Sequence, residues 1–202
     1  MRLSDSVPDP EGWETRSRTT RYADEHVEVV TEEVKTPSRA QPKLWTTVLR
    51  KNAVVVASMT SAGKFLLVRE ERIPVRSSLW EMPAGQIDGA AAPNQKQIEA
   101  EAVRELREET GHQLSTGGEL LALGYFFSSP GFTNERCYFF LARPVEPCGP
   151  DERDEMESIL ECRAFAPDEL RRMIVDNEIR DANTLSICAR LAARGLFALE
   201  AR

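Results

Sequence analysis

Short runs of apolar and β-branched residues recur along this chain and predict most of its strands. The alternation of apolar and charged positions within residues 26–34, followed by a β-branched stretch at 44–49, predicts a small antiparallel strand pair. A continuous apolar run at 53–57, a Ser-Ala-Gly-Lys turn at 61–64 and a second apolar run at 65–68 predict a buried hairpin. Three further strands are predicted at 120–127, 136–142 and 159–165.

Helical signals follow the strands. Residues 95–110 are rich in Glu, Ala, Leu and Arg, contain no Gly or Pro, and precede Gly111, which suits the left-handed residue after a helix. A second helix is predicted to open at Pro167, and a third spans residues 184–193. Residues 1–20 are polar and are expected to form a loosely ordered arm. These elements together permit a mixed sheet between helices, an α/β fold.

Composition limits the classes of function. At 202 residues and 41% hydrophobic, the chain can bury the core of one domain, or of one domain with an extension. The net charge of −7 argues against nonspecific nucleic-acid binding, so an anionic substrate must meet a local cluster of arginines. No apolar run approaches the roughly 20 residues that span a bilayer, and the first residues do not resemble a signal peptide. We therefore expect a cytoplasmic protein without membrane or nucleic-acid partners.

The cysteines and histidines indicate no metal site. The four cysteines lack metal-ligand spacing and are expected to be reduced thiols, some of them buried; they are Cys137, Cys148, Cys162 and Cys188. The two histidines, His26 and His112, are far apart in sequence, which argues against a zinc site or a His-based triad.

Candidate chemistry is concentrated on the helix at 95–110. At about 100° per residue, four glutamates fall within roughly a 100° sector beside an apolar stripe; they are Glu101, Glu105, Glu108 and Glu109. A solvated acidic face is the usual meaning of such charge. Like charges four apart each cost roughly 0.2 to 0.5 kcal/mol, and anions in the last turn oppose the helix dipole. A bound divalent cation would reverse both penalties, so this face is a candidate metal site.

The same residues resemble a known family. The run Arg104-Glu105-Leu106-Arg107-Glu108-Glu109-Thr110-Gly111, with the upstream Glu81-Met82-Pro83-Ala84-Gly85-Gln86-Ile87-Asp88, resembles the signature of the Nudix hydrolases, in their ADP-ribose pyrophosphatase branch. The resemblance implies an α/β/α sandwich with a mixed sheet and a catalytic box helix. It also implies that Mg²⁺, or Mn²⁺, is held by the helix glutamates and a loop carbonyl; by motif position these are Glu105, Glu108, Glu109 and Ala84, with Arg104 and Glu105 in the catalytic set.

The chain departs from the family pattern inside the signature segment at residues 81–111, which is the box of this family. Arg104 follows Gly85 by nineteen positions, five more than the pattern, and Lys96 occupies the place of an expected Glu. The small, turn-prone segment at 89–94 has the composition of an inserted surface loop. Because that Glu mainly supports the loop in the family, the departure concerns loop geometry more than chemistry.

Segments outside the box extend the resemblance. The segment at 128–135 resembles the Pro-bearing loop of this branch, and 67–74 resembles its strand and turn leading to the active site. Taken singly, the first is only a turn and the second a solvated strand end. The resemblance assigns five residues to substrate binding: Arg69, Arg72, Glu81, Pro130 and Gly131. It also implies a general base in an acidic loop beyond the box. Glu157 fits this role best, and Glu155 and Glu152 are alternatives. An acidic loop that is simply solvated is the more common interpretation of such a segment.

The expected function is Mg²⁺-dependent hydrolysis of ADP-ribose or a related nucleoside diphosphate sugar, giving a nucleoside monophosphate and a sugar phosphate. The alternatives are another nucleotide substrate (GDP-mannose, NADH or a dinucleoside polyphosphate) and a catalytically silent, nucleotide-binding regulator. The resemblance further implies that residues 1–50, an N-terminal arm with a small antiparallel strand region, serve homodimerisation and that residues 51–202 form the Nudix hydrolase domain. Three aromatic residues are candidates for stacking on a base or for interface packing: Trp13, Tyr22 and Trp45.

Overall fold

The computed structural model describes residues 3–88, 93–149 and 158–198, which form two β-sheets and three α-helices. The first sheet is N-terminal and has the order β1-β2-β3, with β1 at Glu14–Ala23, β2 at Val27–Lys35 and β3 at Lys43–Arg50. Both of its strand pairs are antiparallel. The predicted pairing of residues 26–34 with 44–49 is therefore confirmed.

The expectation of a loosely ordered arm over residues 1–20 is wrong. Residues 14–20 belong to β1, an edge strand whose Thr and Arg side chains hide the usual alternation of apolar and polar positions. Before it, Leu3–Ser6 forms a 3₁₀ turn on the sheet. Ser4 donates its backbone N–H and its hydroxyl to the buried Glu28 carboxylate at 2.8 and 2.9 Å, so the polar start of the chain is anchored by hydrogen bonds.

The second sheet has seven strands in the order β10-β5-β4-β9-β8, with β6 paired to β5 and β7 paired to β4. Strands β4 and β9 are parallel and the other pairs are antiparallel, which makes the sheet mixed. The strands are β4 at Ala53–Thr60, β5 at Phe65–Arg72, β6 at Ser77–Glu81, β7 at Ala84–Gln86, β8 at His112–Phe127, β9 at Arg136–Pro147 and β10 at Ile159–Phe165.

Helices cover both faces of the second sheet. Helix α1 (Gln95–Thr110) packs Ile98, Ala102 and Leu106 against one face, together with Val54 and Val56 of β4. Helices α2 (Pro167–Val175) and α3 (Ala182–Ala193) belong to a separate apolar cluster on the other face. Because β4 is buried on both faces, its sequence reads as a continuous apolar run. The predicted α/β/α sandwich is confirmed.

The remaining predictions about the fold concern strand bounds, cysteines and the domain boundary. Strand β8 begins at His112 rather than at residue 120, because its polar first half pairs with β9 across a bulge between Leu114 and Glu119. All four cysteines are free thiols, as predicted. Within the described residues, no helix is long and apolar enough to cross a membrane. The domain boundary predicted at residue 50 lies where the chain passes from the first sheet to the second. Whether the two sheets are separate domains stays a prediction.

Candidate active site

The ends of α1 fix the rotation of its acidic face. Asn94 accepts a hydrogen bond from the Gln97 backbone N–H at 3.1 Å, and the Gln97 side chain accepts one from the Asn94 N–H at 2.9 Å. The helix ends at Gly111, whose φ of 65° only glycine adopts readily. The predicted bounds are confirmed. Lys96 is exposed in the first turn, and residues 89–92 of the inserted segment lie outside the described residues.

Two of the four box glutamates are buried. Glu105 and Glu109 are each only 2% exposed, whereas Glu101 and Glu108 are half-buried. The Glu109 carboxylate accepts a hydrogen bond from the Ala84 N–H at 3.1 Å, which joins the helix to β7. Burying a carboxylate costs several kcal/mol unless it is paired or binds a metal. A purely solvated acidic face does not describe these two residues.

Gly85 is the contact point between β7 and the helix. A Cβ atom built on Gly85 would lie 2.0 Å from Oε1 and 2.1 Å from Cδ of Glu105. Only a residue without a side chain lets the Glu105 carboxylate approach the backbone this closely. Ala84 and Gly85 therefore receive the two buried carboxylates side by side.

Arg104 holds the acidic face together. Its guanidinium donates to Glu101, Glu105 and Glu108, so this face of the helix is mixed in charge rather than purely acidic. The hydrogen bond to Glu101, followed by the charges of Glu105, Glu101 and Glu108, raises the pKa of Arg104 above its usual range, although burial opposes this. Arg104 stays charged.

The residues present suit a hard divalent cation. Three carboxylates within two turns of helix, beside the backbone of β7, are all-oxygen donors of the kind Mg²⁺ and Mn²⁺ take. As the side chains lie, no three acidic, His or Cys groups among the described residues converge as metal ligands, and Arg104 bridges Glu105 and Glu108 instead. The donor set fits a metal by its chemistry and by the close approach at Gly85.

The strand residues predicted to bind substrate are engaged with protein groups. Arg72 forms a two-pronged ion pair with buried Glu81 at 3.0 and 2.7 Å, and it also contacts Glu70 at 2.9 Å. Burial alone would lower the pKa of Arg72, but the hydrogen bond and charge of Glu81 raise it further, so Arg72 remains charged. Arg69 donates to the Ser78 hydroxyl at 3.1 Å. A substrate role for these residues stays a prediction.

The Pro-bearing loop that follows β8 is tied to the N-terminal sheet. The Gly131 carbonyl accepts from the Trp45 indole N–H at 3.2 Å, and the Phe132 carbonyl accepts from the Val48 N–H at 2.7 Å. Pro130 lies in the same loop.

Glu135, at the end of that loop, is a buried charged residue to which the sequence reasoning gave no role. It accepts from the Ser128 hydroxyl at 2.6 Å and pairs with Arg50 at 3.0 Å. The only sequence feature that pointed to Glu135 is its place in the Pro-bearing loop at 128–135.

The junction between the sheets joins both loops. Lys51 forms an ion pair with Asp88 at 2.7 Å, and the Asn52 carbonyl accepts from the Ile87 N–H at 2.8 Å. The hydrogen bond from Lys51 lowers the pKa of Asp88 below its usual range, and the charge of nearby Arg104 adds to this. The Asn52 side chain also accepts from the Arg136 N–H at 3.3 Å. Residues 51 and 52 thus fix the opening of the box relative to β9.

The predicted base and the aromatic candidates have separate outcomes. Glu157 and its alternatives Glu152 and Glu155 lie outside the described residues. Tyr22 and Trp45 lie in the N-terminal sheet and Trp13 directly before it, and all three are exposed.

Comparison with known proteins connects this site to others. The sequence profile of the NUDIX domain matches residues 49–185. The chain is 30% identical over 132 residues to an ADP-ribose pyrophosphatase of Bacillus subtilis, with 65% of this chain and 67% of the relative aligned. A methanol dehydrogenase activator of Bacillus methanolicus is 31% identical over 137 residues, covering 66% and 68%. An ADP-ribose pyrophosphatase of Mycobacterium tuberculosis is 31% identical over 144 residues, covering 71% and 65%.

The fold has a match among solved structures. A crystal structure described as an ADP compounds hydrolase superposes with a TM-score of 0.72 at 17% identity, over 94% of this chain and 100% of that one. At this identity the match supports the fold alone. The sequence alignments span about two thirds of the length of each relative.

Proposed function

Because the chain belongs to the Nudix family and is a Nudix hydrolase, we propose that it hydrolyses the diphosphate linkage of ADP-ribose or a related nucleoside diphosphate sugar. Two relatives named ADP-ribose pyrophosphatases support this substrate class. The observation that carries the proposal is the burial of Glu105 against Gly85 and of Glu109 against the Ala84 N–H. This arrangement brings the carboxylate oxygens of α1 next to the backbone of β7.

Glu105, Glu108 and Glu109, with the Ala84 carbonyl, would hold Mg²⁺ or Mn²⁺. When bound, such an ion neutralises diphosphate charge and lowers the pKa of a bound water. Other residues of the chain hold these carboxylates in position. The Ala84 N–H orients the Glu109 carboxylate, Gly85 admits the Glu105 carboxylate, and Arg104 holds Glu105 and Glu108 in place of the cation. We propose Glu157 as the group that takes the proton from the attacking water.

The test is a panel of nucleoside diphosphate derivatives assayed with Mg²⁺ or Mn²⁺ for released monophosphate. We expect ADP-ribose or another nucleoside diphosphate sugar to be turned over to the monophosphate and the sugar phosphate. Glu105→Gln and Glu109→Gln should each reduce the rate by about a hundredfold or more. Glu99→Gln is the matched control, because Glu99 lies on the same helix but bonds Gln95 at 2.7 Å instead of facing β7. Wild-type rates in both box variants would contradict the proposal.

A regulatory function is the second candidate, and the similarity to the methanol dehydrogenase activator favours it. A regulator without catalysis would bind nucleotide and release no monophosphate from any member of the panel. A catalysing protein retains turnover in the purified state, without a partner enzyme.

The N-terminal sheet is proposed to serve homodimerisation. Its polar edge strand β1 and the exposed side chains of Tyr22 and Leu44 are surfaces available to a second copy. Light scattering coupled to size exclusion tests this, with a dimer mass expected for the full chain. A cytoplasmic location also stays a prediction.

A further inference from the structure

Helix α3 holds the loop that opens the box, from the face of the sheet opposite to α1. The Thr184 hydroxyl accepts a hydrogen bond from the Met82 backbone N–H at 2.8 Å, although the two residues are 102 positions apart. Thr184 is fully buried and Met82 is 1% exposed, so water does not reach this pair. A buried backbone N–H needs a partner inside the protein, and Thr184 is the partner of Met82.

Asp181 sets the direction of the Thr184 hydroxyl. Its carboxylate is the N-cap of α3 and accepts the Thr184 backbone N–H at 2.7 Å. The same carboxylate oxygen accepts the Thr184 O–H at 2.8 Å. A hydroxyl has one hydrogen and two lone pairs, so the bond to Asp181 leaves the lone pairs for the Met82 N–H. Capping of the helix needs only the carboxylate and the backbone N–H, and the hydroxyl is therefore available to the loop.

Three consecutive residues of the box-opening loop are each held by a different element. Pro83 has no N–H, so Met82 is the last backbone donor before Ala84. The Pro83 carbonyl accepts from the Val56 N–H of β4 at 2.8 Å, and the Ala84 N–H donates to Glu109 of α1 at 3.1 Å. The loop is thus fixed from both helical layers and from the sheet between them, and α3 supplies the contact at Met82.

We propose that Thr184, oriented by Asp181, is a positioning residue that fixes Met82 and thereby the Ala84 carbonyl, which would bind the divalent cation. This inference rests on the proposed function and adds to it a residue of a helix outside the box. Groups that orient metal ligands through hydrogen bonds typically affect metal affinity or activity by about 10- to 100-fold. A contact that only stabilised the fold would not change metal affinity in this way.

The first test measures Mn²⁺ binding by electron paramagnetic resonance, with no nucleotide present. Thr184→Val keeps the branched shape of the side chain and removes the acceptor, so the Kd for Mn²⁺ should rise about tenfold or more. Thr184→Ser keeps the hydroxyl and should bind Mn²⁺ like the wild type. Ile187→Val is the matched control, because Ile187 is fully buried on the same helix and packs in the apolar cluster of that face. It should lose stability and keep the wild-type Kd.

The second test reads the Met82 N–H directly by amide hydrogen exchange, in the absence of metal. Thr184→Val should lose protection at Met82 while the amides of β9 keep theirs, because the opening is local. Asp181→Ala should also raise the Kd for Mn²⁺. Combined with Thr184→Val, it should weaken binding no further than Thr184→Val alone, since Asp181 acts through the hydroxyl. If Thr184→Val does not fold, Asp181→Ala decides the question, and a wild-type Kd in that variant contradicts the proposal.

The third test is kinetic and separates this inference from the proposed function. For a substrate that the wild type hydrolyses, Thr184→Val should need about tenfold more Mg²⁺ for the half-maximal rate. Its KM for the nucleotide at saturating Mg²⁺ should be unchanged, because Thr184 is fully buried. If the wild type hydrolyses no nucleoside diphosphate derivative, the proposed function fails, and the Mn²⁺ titration still decides the role of Thr184.

Two results would overturn the positioning role. In the first, Met82 loses protection in Thr184→Val, yet Mn²⁺ affinity and the Mg²⁺ requirement stay those of the wild type, so that Thr184 serves the fold alone. In the second, Ile187→Val weakens Mn²⁺ binding as much as Thr184→Val, so that loss of stability explains both. A wild type that binds no Mn²⁺ would contradict the inference whatever its activity.

Discussion

Replacing Gly85 by Ala tests the contact on which the site depends. The new Cβ would lie 2.0 Å from Oε1, 2.1 Å from Cδ and 2.5 Å from Oε2 of Glu105, whereas ordinary contact begins at 3.4 Å. The Glu105 carboxylate must therefore move by about 1.4 Å relative to the β7 backbone. The backbone of Gly85 itself does not lie in the left-handed region, so alanine adds bulk without backbone strain.

Displacement of this size should affect catalysis more than folding. A misplacement of about 1 Å in a catalytic group costs on the order of a hundredfold in rate, or about 2.7 kcal/mol in the activation barrier. Overpacking of this kind costs typically about 1 to 3 kcal/mol of stability. We therefore expect Gly85→Ala to fold, to lose about two orders of magnitude in kcat/KM, and to need more Mg²⁺ for half-maximal rate.

The assay combines Mg²⁺ titration of the rate with denaturant unfolding. Gly118→Ala is the control, because its Cβ would lie 2.8 Å from the Pro144 carbonyl in the bulged region of β8 and β9, where it crowds backbone without touching the box. This control should lose stability and keep its Mg²⁺ requirement. In a Glu105→Ala background, Gly85→Ala should cost little stability, since the obstructing carboxylate is gone. A Gly85→Ala protein with the rate and Mg²⁺ requirement of the wild type would refute the assignment of Glu105 as a ligand.

Three further predictions concern other parts of the molecule. At pH 8, iodoacetamide should modify exposed Cys148 rapidly and leave Cys137 unmodified in peptide mass spectra, because burial raises the pKa of the Cys137 thiol to about 12 and excludes the reagent. Arg72→Met should lower the free energy of unfolding by about 2 to 3 kcal/mol in urea titrations, since it leaves the Glu81 carboxylate buried without its main partner. Glu157→Gln should lower the plateau rate sharply with Mg²⁺ half-saturation unchanged, and an unchanged plateau would exclude Glu157 as the base.

The sequence predicts an element best where local signals agree. For α1, the helix-forming composition and Gly111 indicate the same bounds, and the structure has them, with Asn94 as the N-cap. For the hairpin of β4 and β5, apolar runs on either side of a turn were sufficient to locate both strands. Strand β1 and the first half of β8 have polar sequences whose extended conformation depends on partner strands, so hydrophobic periodicity does not reveal them.

For the candidate site, the sequence indicates residue types but not their partners. The motif identified Glu105 and Glu109, and helical periodicity placed them on one side of α1. Their burial depends on β7, a strand of three residues that has no periodicity of its own. The same limit applies to Arg72 and Glu81, which are nine positions apart and meet because β5 pairs with β6.

The structure also changes the physical argument for a metal. Repulsion among the box glutamates is no longer sufficient reason to expect a cation, because Arg104 already compensates Glu101, Glu105 and Glu108 from within the helix. The ion pairs of Arg104 do not explain why Glu105 and Glu109 are buried against the backbone of Ala84 and Gly85. Burying a carboxylate costs free energy, and Arg104, whose side chain is 43% exposed, offsets only part of that cost. The case for a divalent cation therefore rests on the contact between α1 and β7 rather than on the density of charge along the helix.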